Sequence, residues 1–134
     1  MPSHEGGCLC GAVRYRLSGA PVSSVLCHCA SCRRASGAPS VAWLTVAREQ
    51  FEVRSGSPTS FHSSPGVIRR FCGICGSALT YENAKSPSTI DITTLTLDHP
   101  DDFAPTDEVW MRDKVAWQPI DAARGHHLEG TAGP

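Results

Sequence analysis

Seven cysteines fall in three tight clusters, Cys8-Leu9-Cys10, Cys27-His28-Cys29-Ala30-Ser31-Cys32 and Cys72-Gly73-Ile74-Cys75. This layout constrains the fold more than anything else in the chain. Thiolates on one tetrahedral zinc, with Zn–S near 2.3 Å, bring their sulfurs to about 3.8 Å from each other, and a C-x-C or C-x-x-C turn does this with one bend of backbone. Four sulfurs close a structural site, whereas three leave a coordination position for water or substrate. Seven is the sum of one site of each kind. A disulfide framework would favour an oxidising compartment and an even cysteine count. A thioredoxin-type pair at Cys72–Cys75 would open a helix, where Gly73 and Gly76 instead favour a tight knuckle.

Composition narrows the partners. Twelve Lys+Arg against thirteen Asp+Glu leave a net charge of −1, and only Arg33–Arg34 and Arg69–Arg70 adjoin. A nucleic-acid module is usually distinctly basic, so nucleic acid is not an expected partner. The opening Met-Pro-Ser-His-Glu-Gly-Gly has no basic or apolar leader pattern, and no apolar run reaches membrane-spanning length. A reducing cytoplasm is therefore the expected location. At 134 residues one domain is expected over residues 1–124, followed by a flexible tail at 125–134 that lacks apolar periodicity.

Period-two alternation dominates the apolar runs, as in Val13–Leu17, Val41–Val46 and Thr89–Thr93. Shorter strand candidates are Phe51–Arg54, Thr59–His62, Val67–Phe71, Ala78–Tyr81 and Val109–Met111, punctuated by Gly, Pro, Ser and Asn. Such short links predict antiparallel pairing, since a parallel crossover takes a dozen or more residues. One helical segment is expected at Ala30–Ser36, ended by Gly37 and Pro39. Trp43, Trp110 and Trp117 read as core aromatics before pocket-lining ones.

On this reading Cys8 and Cys10 precede the first strand and Cys72 and Cys75 form a turn between two later ones. A zinc held by all four would close a loop of about sixty residues and add its binding energy to folding. Cys27, Cys29 and Cys32 need no distant partner and keep a vertex open. A competing assignment gives that cluster a fourth ligand in His28 or His62.

The three clusters and their flanks resemble the glutathione-dependent formaldehyde-activating enzyme family, also called the GFA or centromere-protein-V domain family. The resemblance rests on Gly6 to Tyr15, Cys27 to Gly37, Ser63 to Leu79 and Leu97-Asp98-His99-Pro100. It implies a mostly β, Mss4-like stack of small antiparallel sheets with short helical turns, cross-linked by two zinc ions. Cys8, Cys10, Cys72 and Cys75 would hold the structural ion, and Cys27, Cys29 and Cys32 the catalytic one. The implied activity joins glutathione to formaldehyde, a carbon–sulfur bond formation classed with the lyases, so the expected partners are a small thiol and an aldehyde. Arg33, Arg34, Ser63 and Ser64 are the candidate substrate contacts by motif. All but Lys85 and Lys114 of the twelve basic residues are arginines, a bias that suits carboxylates. The alternative is a non-catalytic zinc module that binds a protein or nucleic-acid partner.

Overall fold

A computed structural model describes residues 3–130. In chain order the strands are β1 (Ser3–Gly7), β2 (Arg14–Ser18) and β3 (Ser23–Cys27), then helix α1 (Ala30–Ser36), then β4 (Val41–Ala47), β5 (Phe51–Ser55), β6 (Thr59–Ser64), β7 (Val67–Phe71), β8 (Ala78–Asn83), β9 (Thr89–Thr93), β10 (Asp107–Val109) and β11 (Gly125–His126). Strands β1, β2 and β5 pair in that order as an antiparallel sheet. The other eight form one sheet in the order β11-β10-β3-β4-β9-β8-β7-β6.

The strand alternation decides which side chains meet. Leu44 and Val46 on β4, with Ile90 and Ile92 on β9, face the three-stranded sheet and pack on Val13, Tyr15 and Leu17. Their neighbours one residue along point to the opposite side, so the register sets Val25 beside Trp43, Cys27 beside Val41 and Val109 beside Cys27. This second, smaller core of Cys27, Cys32, Trp43 and Val109 lies under α1. A single eight-stranded sheet thus carries a packing face and a chemistry face.

Helix α1 spans the expected residues and stops at Gly37, whose φ of 70° is the left-handed cap that glycine adopts without a Cβ clash. Gly6 has a different reason to be glycine. A Cβ there would lie 2.5 Å from Tyr15 Oη and 2.6 Å from the Thr96 carbonyl oxygen, so β1 lies close against both. The Tyr15 hydroxyl is held in turn by Thr96 Oγ1 at 2.7 Å.

Three expectations change. The pairing is not wholly antiparallel, because β10 runs parallel to both β3 and β11. Long connections, including the stretch 110–124 before β11, leave room for those crossovers. The expected tail from 125 is paired as far as it is described. His127 N–H donates to the Glu108 carbonyl at 3.0 Å, and Trp110 N–H to that of Glu129 at 3.0 Å. Residues 131–134 lie outside the described residues. Trp117, expected in the core, is 74% exposed, while Trp43 is buried.

Candidate metal centres

The first cluster joins two knuckles. Cys8 and Cys10 sit in the turn from β1 to β2, Cys72 and Cys75 in the turn from β7 to β8, and their sulfurs converge within 4.8 Å of one another. Cys10 Sγ is 3.7 Å from Cys8 Sγ and 3.8 Å from Cys72 Sγ, the spacing of tetrahedral thiolates around zinc. Backbone N–H groups already point at the sulfurs, from Val13 to Cys8 at 3.2 Å and from Cys75 to Cys72 at 3.5 Å. The Ser77 hydroxyl ties the knuckles together by accepting from Leu9 N–H at 2.9 Å while lying 3.2 Å from Cys75 Sγ.

Without an ion, Cys8, Cys10 and Cys75 differ in acidity. The Ser77 hydroxyl and N–H groups lower Cys75 to about 5, and the Val13 N–H lowers Cys8. Cys10 receives the Ala12 N–H, yet burial and the neighbouring sulfurs push it up to about 11.

The second cluster is built by one chain reversal. Cys27 ends β3, Cys29 caps α1 and Cys32 lies in the first helical turn. The cap is the cysteine itself, since Cys29 Sγ accepts the Cys32 N–H at 3.3 Å. Cys32 Sγ lies 3.5 Å from Cys27 Sγ, and the three sulfurs sit within 4.8 Å of one another. Cys27 and Cys32 are buried while Cys29 is half-buried, so the trio opens outward on the Cys29 side. The Cys27 and Cys32 thiols, with help from the Cys32 N–H and Arg69, lower Cys29 to about 2, whereas the Cys29 and Cys32 thiols, together with burial, raise Cys27. All seven cysteines are free, and these sulfur separations are far longer than the roughly 2 Å of a disulfide.

His28 stands apart from the trio: neither of its ring nitrogens joins the three sulfurs within 4.8 Å, although its buried Nδ1 has no hydrogen-bond partner. Its ring is fully buried and turned to Glu108, with Nε2 2.7 Å from Oε1 of that equally buried carboxylate. The other oxygen, Oε2, accepts the Asp121 N–H at 3.1 Å and lies 3.4 Å from Arg124 Nη1. Burial opposes ionisation of Glu108, but His28, the Asp121 N–H and Arg124 together outweigh it and hold the carboxyl below its ordinary range. Removing one member of a buried pair leaves the other uncompensated. Glu108→Ala is therefore expected to cost about 3–5 kcal/mol in urea unfolding, and a loss under about 1 kcal/mol would contradict this account. His62, the other proposed ligand, is exposed on β6.

The remaining candidates disperse. Arg33 is half-buried, with a buried Nε that has no partner, Arg34 is exposed on α1, and Ser63 and Ser64 are exposed at the end of the edge strand β6. Among the described residues no side-chain hydrogen bond joins any of the four to a cysteine sulfur. Residues that do reach the Cys27–Cys29–Cys32 trio carry little local signal. Trp43 Nε1–H donates to Cys32 Sγ at 3.4 Å, and Arg69 Nη2 lies 4.0 Å from the same sulfur. The sequence offered only the doublet Arg69–Arg70 as a hint, and pairing separates its members: Arg70 binds Glu82, while Arg69 lies over the Tyr81 ring, 5.1 Å from its centroid.

Residues 3–113 match the family model described as glutathione-dependent formaldehyde-activating enzyme. The chain belongs to this family. An "Uncharacterized lyase" of Schizosaccharomyces pombe is 30% identical over 93 residues, covering 68% of this chain and 67% of the yeast protein. A Halomonas elongata protein named "Putative glutathione-dependent formaldehyde-activating enzyme" is 34% identical over 95 residues, covering 64% of this chain and 60% of that one. The fold is similar to that of a Rhodobacter sphaeroides protein of known crystal structure, with a TM-score of 0.60 at 20% identity over 92% of this chain and 98% of that one. The family and the relatives' names indicate an enzyme of the lyase kind. Its two cysteine clusters can hold metal ions. No described helix is long and apolar enough to cross a membrane.

Proposed function

We propose that this family member is a zinc-dependent carbon–sulfur lyase or synthase that joins a small thiol such as glutathione to formaldehyde or a related aldehyde. One observation carries the reading: Cys27, Cys29 and Cys32 converge as three sulfurs and neither ring nitrogen of His28, whose Nε2 is bound to Glu108, joins them. An ion held there has no fourth protein ligand among the described residues. Cys8, Cys10, Cys72 and Cys75 would hold a second zinc that serves the fold. A reducing cytoplasm, where all seven thiols persist, is the setting this reading implies.

When bound, zinc supplies the electrophilic centre that makes an incoming thiol acidic at neutral pH. The protein's own groups do the rest. Buried Cys27 and Cys32 fix the position of the site, and half-buried Cys29 marks the side from which substrate enters. The reaction balances without a redox partner. The thiol sulfur forms a bond to the carbonyl carbon, the carbon–oxygen π pair moves to oxygen, and the proton lost from sulfur ends on that oxygen. Arg33, with its unpartnered buried Nε, and Arg34, Ser63 and Ser64 are the proposed contacts for the anionic and peptide parts of a glutathione-like thiol.

The test combines two measurements on the zinc-loaded protein. Proton-exchange NMR on a glutathione–formaldehyde mixture is expected to show adduct formation faster than the spontaneous rate. X-ray absorption at the zinc edge is expected to show about 3.5 sulfurs per zinc on average, rising when thiol is added. A spontaneous rate together with an unchanged sulfur count would replace the enzyme with a closed zinc module.

A further inference from the structure

Each sulfur of the reactive trio has a different set of donors. Cys29 Sγ accepts a backbone N–H from Cys32. Cys32 Sγ is the sulfur with side-chain nitrogen donors, the Trp43 indole at 3.4 Å and the Arg69 guanidinium at 4.0 Å. Neither of those groups is there by loose packing. Trp43 is 6% exposed on β4, and its ring lies 5.9 Å from that of Tyr81 on β8. Arg69 is the cross-strand neighbour of Tyr81 and lies over its ring. Three strands thus brace two donors against one sulfur.

Arg69, like Arg33, is a half-buried cation without a carboxylate partner among the described residues, but it is the one that reaches a cysteine sulfur. Its neighbour Arg70 pairs with Glu82, as does Arg48. A half-buried cation without a counter-ion is unfavourable unless a negative charge answers it. Three thiolates around a divalent ion carry a net charge of about −1, which one guanidinium balances.

We propose that Trp43 and Arg69 are positioning residues that draw electron density from Cys32 Sγ, making it the weakest donor of the three thiolates and leaving the bound metal more electrophilic. The inference rests on the three-cysteine metal site proposed above, and it assigns neither residue a contact with thiol or aldehyde. A hydrogen bond to a metal-bound thiolate lowers its donation to the metal, much as outer partners tune other ligands. A thiolate that donates less keeps its electrons deeper, so charge transfer from sulfur to metal needs more energy.

The experiment uses cobalt(II)-loaded full-length protein. In Trp43→Phe and in Arg69→Gln the sulfur-to-cobalt absorption band is expected to move to longer wavelength while the ligand-field bands keep their tetrahedral pattern. The shifts should add in the double variant and be partly restored in Arg69→Lys. Cobalt affinity should fall about tenfold in Arg69→Gln. An unmoved band in both single variants overturns the proposal. Loss of cobalt binding in both overturns it too, since their role would then be structural. A wild-type protein with no tetrahedral thiolate spectrum would instead sink the metal site itself, which is a separate failure.

Discussion

Cys29→Ser is expected to lose all turnover above the spontaneous rate while keeping the wild-type fold. Cys29 is the half-buried sulfur of the trio, and in the proposed site a serine hydroxyl would be too weakly acidic to replace its thiolate on zinc. Its other role survives the change. Cys29 caps α1 through Sγ, and serine is among the preferred residues at that position, so the Cys32 N–H keeps an acceptor. Metal analysis should fall from about two zinc per chain to about one, with an unchanged far-UV dichroism spectrum and a melting temperature within a few degrees of wild type. Faster-than-spontaneous adduct formation by this variant would defeat the catalytic assignment.

Cys72→Ser is expected to abolish the folded state. Cys72 is 1% exposed and belongs to the main hydrophobic core, so the lost ligand cannot be replaced from solvent. Its cluster links Cys10 and Cys72 across 62 positions, fastening the three-stranded sheet to the far half of the larger one. Structural zinc contributes about 10–16 kcal/mol in zinc-finger peptides, against about 5–15 kcal/mol of net stability for a typical domain. Losing that contribution leaves no margin. Amide NMR dispersion and a cooperative thermal transition should both disappear, and a variant that melts like wild type would show the first cluster to be dispensable. The two replacements separate the centres, one removing chemistry and the other architecture.

What the sequence made legible follows from how local each signal is. Cys27, Cys29 and Cys32 fall within six residues, and the alternating runs of β4 and β9 and the helix ended by Gly37 are equally local, so short-range patterns locate them. Strands β1 and β3 leave no local signature, because Ser-His-Glu-Gly-Gly and Ser-Ser-Val-Leu-Cys show little apolar alternation. Their pairing is decided by tertiary partners such as Tyr15 against Gly6. Glu108 escaped notice because its partner His28 is 80 positions away and both become buried only when β10 docks beside β3. Arg69 looked the same as Arg70 until the strand alternation sent them to opposite faces.

The pairing of His28 with Glu108 orders events in time. As the chain emerges from a ribosome, the Cys27–Cys32 loop appears early, but the carboxylate that orients it appears 80 residues later. Until then the nascent thiols lack the scaffold that shapes them, and a contact of such long sequence separation forms slowly. The last cysteine of the first cluster, Cys75, precedes Glu108 in the chain, so that cluster is complete in sequence before the Cys27–Cys32 loop has its buried partner.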